Sequence, residues 1–239
     1  MENSRMPEKL VLNPLLSRKS GATEIYLIRH ADALPGPETV IPGGGYDDQP
    51  LSQLGQQQAL ALANWLAQTN FDALYSSPLR RTRETAAPLA QVQDKEVTLE
   101  AGLREVKLNL DVASFVEGEG PAATSNALRS RMDEIVRQVG REGKWSAIPG
   151  SEQSESFRAR VVSIIQQLAA RHAGQRLAVF SHGGVINAYL AEALNLERDF
   201  FFPIYNTSVS MARVLENQVA IFSLNDIAHL RAANVELEV

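Results

Sequence analysis

Two short apolar runs, each ending on a histidine, constrain this chain more than any other feature. The first, Glu24 to His30, reads Glu-Ile-Tyr-Leu-Ile-Arg-His. Four apolar, largely β-favouring residues in a row predict a strand buried on both faces, and the run stops abruptly at Arg29 and His30. The second, Leu177 to Ser181 (Leu-Ala-Val-Phe-Ser), opens onto His182, Gly183 and Gly184 before a helical run from Val185 to Leu194. In open α/β sheets ligands bind in the crevice beyond the carboxyl ends of the strands, so both histidines are expected at one functional edge.

Between and around these runs, strand and helix patterns alternate. Ser52 is placed to cap a helix in which Leu54, Ala59, Leu62, Ala63 and Leu66 recur at helical spacing. Phe71 to Ser76 reads as a strand, and Pro78 can start a helix carrying Arg80, Arg81, Arg83 and Thr85. A short strand at Val97 to Leu99 precedes Leu103, Arg104 and Glu105; helices are expected near 127–139 and 152–172. Paired strands, Ser208 to Leu215 and Val219 to Leu224, close the chain about a Glu216-Asn217 turn. The alternation predicts an α/β fold with a mainly parallel central sheet flanked by helices. Residues 1–22, broken by Pro7, Pro14 and Gly21, read as an N-terminal arm, and 23–239 as a single domain. Two irregular stretches, Ala33 to Pro50 and about 107–150, are expected to cover the strand ends; the second is the substrate-covering region.

Composition narrows the chemistry. A net charge of -5 and a pI near 5.5 argue against nucleic acid as a partner, while leaving room for a local basic pocket. No apolar run is long enough to span a bilayer, and the N-terminal stretch lacks a signal-peptide core, so a cytoplasmic protein is expected. With no cysteine, structural disulfides, thiolate metal sites and a Cys nucleophile are excluded. If Arg29, His30, Arg81 and His182 converge, they form a cationic pocket matched to the oxygens of a phosphoryl group, with the helix start after His182 adding backbone donors. A neutral imidazole with one nitrogen tied to a carbonyl leaves the other free to attack phosphorus. Glu105 is the candidate acid for the departing oxygen. Each residue also has a plainer reading: a solvated strand end, a helix face on which Glu84 balances the arginines, a capping turn at Ser181 to Gly184. His172 and His229 are read as structural or solvated. A two-histidine zinc site lacks the helical His-x-x-x-His spacing, and a serine hydrolase lacks the Gly-x-Ser-x-Gly elbow.

The ensemble resembles the histidine phosphatase superfamily, also called phosphoglycerate mutase-like, over roughly Glu24 to Leu230. Leu27-Ile28-Arg29-His30 is similar to its Arg-His-Gly signature, and Asp48 to Ala59 to its Pro-Leu-Thr-x-x-Gly-x-x-Gln-Ala helix start. Tyr75 to Ala86 matches the segment of the second phosphate-binding arginine, Leu103-Arg104-Glu105 the acid-bearing segment, and Phe180 to Gly184 that of the second histidine. Asn206 to Leu230, with Asn225-Asp226 and His229-Leu230, is similar to the closing hairpin of the phosphatase branch. The resemblance implies a phosphoglycerate mutase-like three-layer fold and a metal-independent phosphatase, without cofactor, acting on a small phosphorylated metabolite through phosphohistidine. It implies His30 as nucleophile, Arg29, Arg81 and His182 as phosphoryl ligands, and Glu105 as proton donor and later base. Three departures stand out: Ala31 occupies the signature glycine's position, Val106 to Leu110 replaces an aspartate-glycine-tryptophan pattern, and Pro149 to Gln153 only approximates a Gly-Glu-Ser segment. Asp32, Asp111 and Glu117 are the reserves for the acid. The alternatives are a phosphoglycerate mutase, disfavoured by Ala31 to Pro35 where mutases carry Ser-x-Trp-Asn; a phosphohistidine protein phosphatase; and an idle phospho-ligand binding module. Oligomeric state is not legible.

Overall fold

The protein is described here by a computed structural model covering residues 21–33, 48–108, 121–216 and 218–237, with side chains from residue 130 onward in the third segment. The arm, apart from its last two residues, most of the loop after residue 33, and the acid reserves Asp111 and Glu117 lie outside the described residues. In chain order the elements are β1 (Thr23–Arg29), α1 (Gln53–Leu66), β2 (Ala73–Ser76), α2 (Arg80–Gln93), β3 (Val97–Leu99), α3 (Pro121–Glu142), α4 (Ser154–Arg171), β4 (Arg176–Ser181), α5 (Gly183–Ala193), β5 (Val209–Leu215), β6 (Gln218–Asp226) and α6 (Ala228–Ala232). Six strands form one sheet in the order β3-β2-β4-β1-β5-β6. The first four are mutually parallel, while β5 and β6 add an antiparallel edge.

The predicted central strands are central because both faces are covered. Ile25 and Leu27 of β1, with Leu177 and Val179 of β4, face a core with Phe157, Ile165 and Leu168 of α4 and Val185 and Leu190 of α5. Their neighbours Ile28, Ala178 and Phe180 turn the other way, onto Leu62 and Leu66 of α1 and Ala86 and Leu89 of α2. Alternation along each strand thus feeds two helical layers, giving three layers in all. At the opposite end of β1 the buried Glu24 pairs with Arg176 of β4 at 2.5 Å and with Arg213 of β5 at 3.0 Å, which ties β1 to both neighbours. Among the described residues no helix is long and apolar enough to cross a membrane.

Ser52 caps α1 as its position suggests, its hydroxyl accepting from the Gly55 amide at 3.0 Å. The rest of that motif fastens α1 to the loop after β1. The Asp32 carbonyl accepts the Ser52 amide at 3.0 Å, Gln58 Oε1 accepts the Asp32 amide at 2.9 Å, and the Ser52 hydroxyl also donates to the Asp32 carboxylate. A methyl on Gly55 would sit 2.0 Å from the Asp32 carbonyl oxygen, so only glycine permits this approach. The region expected to be irregular between 107 and 150 contains a helix longer than the spacing suggested, because α3 begins at Pro121, where a missing amide costs no hydrogen bond.

Candidate active site

The parallel register sets Arg29 opposite Ser181, so the residues that follow, His30 and His182, leave the sheet side by side. Their ring centroids are 5.2 Å apart. His30 Nδ1 lies 2.7 Å from the Ala31 carbonyl oxygen; since a carbonyl only accepts, Nδ1 carries the proton and Nε2 is left with its lone pair. His182 has the opposite tautomer. Its Nδ1 is 3.2 Å from Arg81 Nη2, which can only donate, so the proton resides on Nε2 and is donated to Ser77 Oγ at 2.9 Å. Arg81 reaches the pair from the first turn of α2, and Arg29 turns its guanidinium onto the Ile204 carbonyl. Ala31 is fully buried and is not among the positive-φ residues, so the methyl in place of a glycine is accommodated without backbone strain.

Glu105 arrives from the segment after β3, which is fastened on two sides. The Ser181 hydroxyl donates to the Leu103 carbonyl at 2.9 Å, and Arg160 of α4 donates to the carbonyls of Gly102 and Arg104, both at 2.9 Å. The carboxyl group itself accepts from its neighbour Val106 N at 2.9 Å and from Gly184 N, in the first turn of α5, at 3.1 Å. A methyl on Gly184 would lie 2.3 Å from Glu105 Oε1 and 2.9 Å from Trp145 Cζ2, so glycine is required where acid, indole and helix start meet. Asp32 also borders the cleft but is engaged with Ser52. All five predicted residues, His30, Arg29, Arg81, His182 and Glu105, are brought together: four line one cleft of about 1140 Å³, and His182 is fully buried behind it. Sequence reasoning missed Ser77, although it follows β2 at the same sheet edge, and Trp145, for which no sequence signal exists. The Gly-Glu-Ser-like segment contributes Glu152, which pairs with Arg160 at 2.7 Å on the cleft wall. Among the described residues no cluster of three or more His, Cys, Asp or Glu side chains could hold a metal ion.

Burial shapes the protonation states. Both His30 and His182 are held well below the usual imidazole range, first by desolvation and then by the charges of Arg81 and Arg29, so both are neutral near pH 7. Desolvation pushes Glu105 up, against the opposing pull of its two amide donors and the arginines. A base kept neutral beside a carboxyl group that holds its proton more tightly than usual is the pairing that acid and nucleophilic catalysis need. The same burial has a stability consequence. His229 is also lowered, to about 4, chiefly by desolvation. On unfolding, these three histidines regain ordinary values near 6.5, so below that pH the unfolded chain binds protons that the native state refuses. Their neutral-state stability is complete above about pH 6.5 and is lost as pH falls, by up to about 1.4 kcal/mol per pH unit for each histidine. Glu105, pushed up, takes up a proton on folding and offsets part of this, so urea midpoints should drop between pH 7 and 5 by less than three histidines alone would give; a flat profile there would contradict these environments.

Paired imidazoles, two guanidinium groups and a buried carboxyl at the carboxyl ends of parallel strands define the class: an α/β enzyme built for phosphoryl chemistry. Residues 25–227 match the family described as histidine phosphatase superfamily (branch 1), and the chain belongs to that family and is a histidine phosphatase. It is 29% identical over 215 residues to phosphoserine phosphatase 1 of Hydrogenobacter thermophilus, covering 89% of this chain and 97% of that one. It is 28% identical over 221 residues to the metal-independent phosphoserine phosphatase of Arabidopsis thaliana, covering 89% and 85%. The crystal structure of a phosphoglycerate mutase from Bacillus anthracis superposes with a TM-score of 0.66 at 20% identity, covering 89% of this chain and 97% of that one, so the phosphoglycerate mutase-like fold is shared.

Proposed function

We propose that this enzyme hydrolyses a small phosphorylated metabolite without a metal, in two steps, through a phosphohistidine at His30. The observation that carries the reading is the His30 tautomer: Nδ1–H is spent on the Ala31 carbonyl, so Nε2 offers its lone pair beside Arg81 and His182. In the first step Nε2 attacks phosphorus, the bond to the leaving oxygen breaks, and Glu105 gives that oxygen its proton, releasing the alcohol. Arg29 and Arg81 neutralise the charge on the phosphoryl oxygens as donors already held in place. In the second step the Glu105 carboxylate takes a proton from water, the water oxygen bonds to phosphorus, and the P–N bond breaks to regenerate neutral His30 and phosphate.

The guanidinium groups supply the cationic charge that a metal would otherwise bring, and the name of the Arabidopsis relative supports the same reading. Phosphoserine, the substrate named for two relatives, is the first compound to assay. Turnover of phosphoserine and of nitrophenyl phosphate should be unchanged after exhaustive treatment with EDTA. Loss of activity that zinc or magnesium restores would overturn the metal-free mechanism, and absence of turnover with a broad set of phosphomonoesters would overturn the phosphatase reading for this chain.

A further inference from the structure

The residues proposed to handle the phosphoryl group are held in place by a loop that never supplies a reacting atom. Residues 203–208, which lead into β5, pass directly beneath the end of β1. The Ile204 carbonyl receives the Arg29 guanidinium, Asn206 Nδ2 donates to the His30 carbonyl at 3.0 Å, and the Thr207 amide donates to the same oxygen at 3.3 Å. The other side of that peptide is also held, since the Ala31 amide donates to Thr85 Oγ1 at 2.9 Å. The peptide between nucleophile and Ala31, whose carbonyl fixes the His30 tautomer, is therefore clamped on both edges.

The loop cannot hold this shape unaided. Thr207 has φ of +55°, and a β-branched residue in the left-handed region is strained. Its hydroxyl donates to the Asn206 carbonyl at 2.8 Å, so its other partner among the described residues, His229 Nε2 at 2.9 Å, donates to it. His229 sits in α6 and is almost fully buried, and α6 is anchored by Leu230 packing against Ala61 of α1. Asn225, near the end of β6, holds the other half of the loop: its Oδ1 accepts the Tyr205 amide at 2.9 Å and its Nδ2 donates to the Pro203 carbonyl at 3.0 Å. Neither Asn225 nor His229 borders the cleft.

We infer that Asn225 and His229 are positioning residues for phosphoryl transfer, holding loop 203–208 so that it fixes the Arg29 guanidinium and the His30 backbone. The inference deepens the proposed function and rests on it, and it gives the closing hairpin a task beyond completing the sheet.

The test uses variants of the full chain, assayed at a temperature where circular dichroism shows each to be folded. Asn225→Gly keeps its φ of +54° free of strain while removing both side-chain hydrogen bonds. It and His229→Leu should each lower the single-turnover rate of phosphorylation about 10- to 10²-fold, with KM changed far less, as misplacement of a reacting group demands. His229→Gln, which can return a donor to Thr207, should recover most of the rate lost in His229→Leu. A rate per folded molecule equal to wild type in both Asn225→Gly and His229→Leu would overturn the inference, even if both melt earlier. A second readout does not depend on catalysis. With four histidines in the chain, nitrogen NMR resolves the imidazoles, and in both variants the His30 signals should move away from the pure Nδ1–H tautomer. If wild type forms no phosphohistidine the proposed function fails, and this spectrum alone decides the positioning: unchanged His30 signals reject it.

Discussion

His30→Ala should be a folded protein with no measurable phosphatase activity. The side chain ends a strand, is half-buried at the cleft floor and, among the described residues, bonds to its neighbour's carbonyl alone, so its removal opens no core cavity. What it removes is the nucleophile, and with it the covalent route. The remaining cationic groups can still bind phosphate but have nothing to pass it to, a loss that in comparable nucleophile deletions reaches about 10⁶-fold. The measurement is kcat for nitrophenyl phosphate alongside thermal unfolding. An unfolded variant would show that His30 is structural, and residual activity within about 10²-fold of wild type would place the nucleophile elsewhere.

Glu105→Gln should be selective in its damage. General acid catalysis is worth about 10² to 10⁴ in rate, in proportion to how badly the leaving oxygen needs a proton. An alkyl phosphate such as phosphoserine expels a basic alkoxide, whereas nitrophenyl phosphate expels an anion already stable near neutral pH. Single-turnover phosphorylation by the former should fall through most of that range and by the latter hardly at all. Steady-state rates would blur the contrast, because the same carboxylate is proposed to activate water in the second step. Glutamine can keep the contact with the Gly184 amide through its carbonyl oxygen but gives up that with Val106 N, so circular dichroism of the variant is the folding control. Equal losses for both leaving groups would reject Glu105 as proton donor and turn attention to Asp32, Asp111 and Glu117.

Much of this architecture could be read from the sequence because its signals are local. Strands buried on both faces are unbroken apolar runs, as β1 and β4 are, and a polar cap such as Ser52 immediately before helical periodicity marks a helix start. Arg81 could be told from Arg80 and Arg83 only through the resemblance of Tyr75 to Ala86 to the family's arginine-bearing segment. What stayed hidden depends on partners distant in the chain. Glu24 looks like the polar edge of a strand, yet it is buried between Arg176 and Arg213. Gly184 reads as one more residue of a turn, while the structure shows that Glu105 and Trp145 leave no room for a methyl there. His229 could be read as structural or solvated but no further, because its partner, Thr207, belongs to a loop whose left-handed φ no periodicity reveals.

In the proposed mechanism the phosphoryl group resides for a time on His30 Nε2. Rapid acid-free quenching of the enzyme with a radiolabelled phosphomonoester, followed by peptide mapping, tests it most directly. A transient, acid-labile and alkali-stable label is expected on the peptide containing His30, absent from His30→Ala. A label on another residue, or full turnover with no phosphoenzyme trapped at any time, would contradict it.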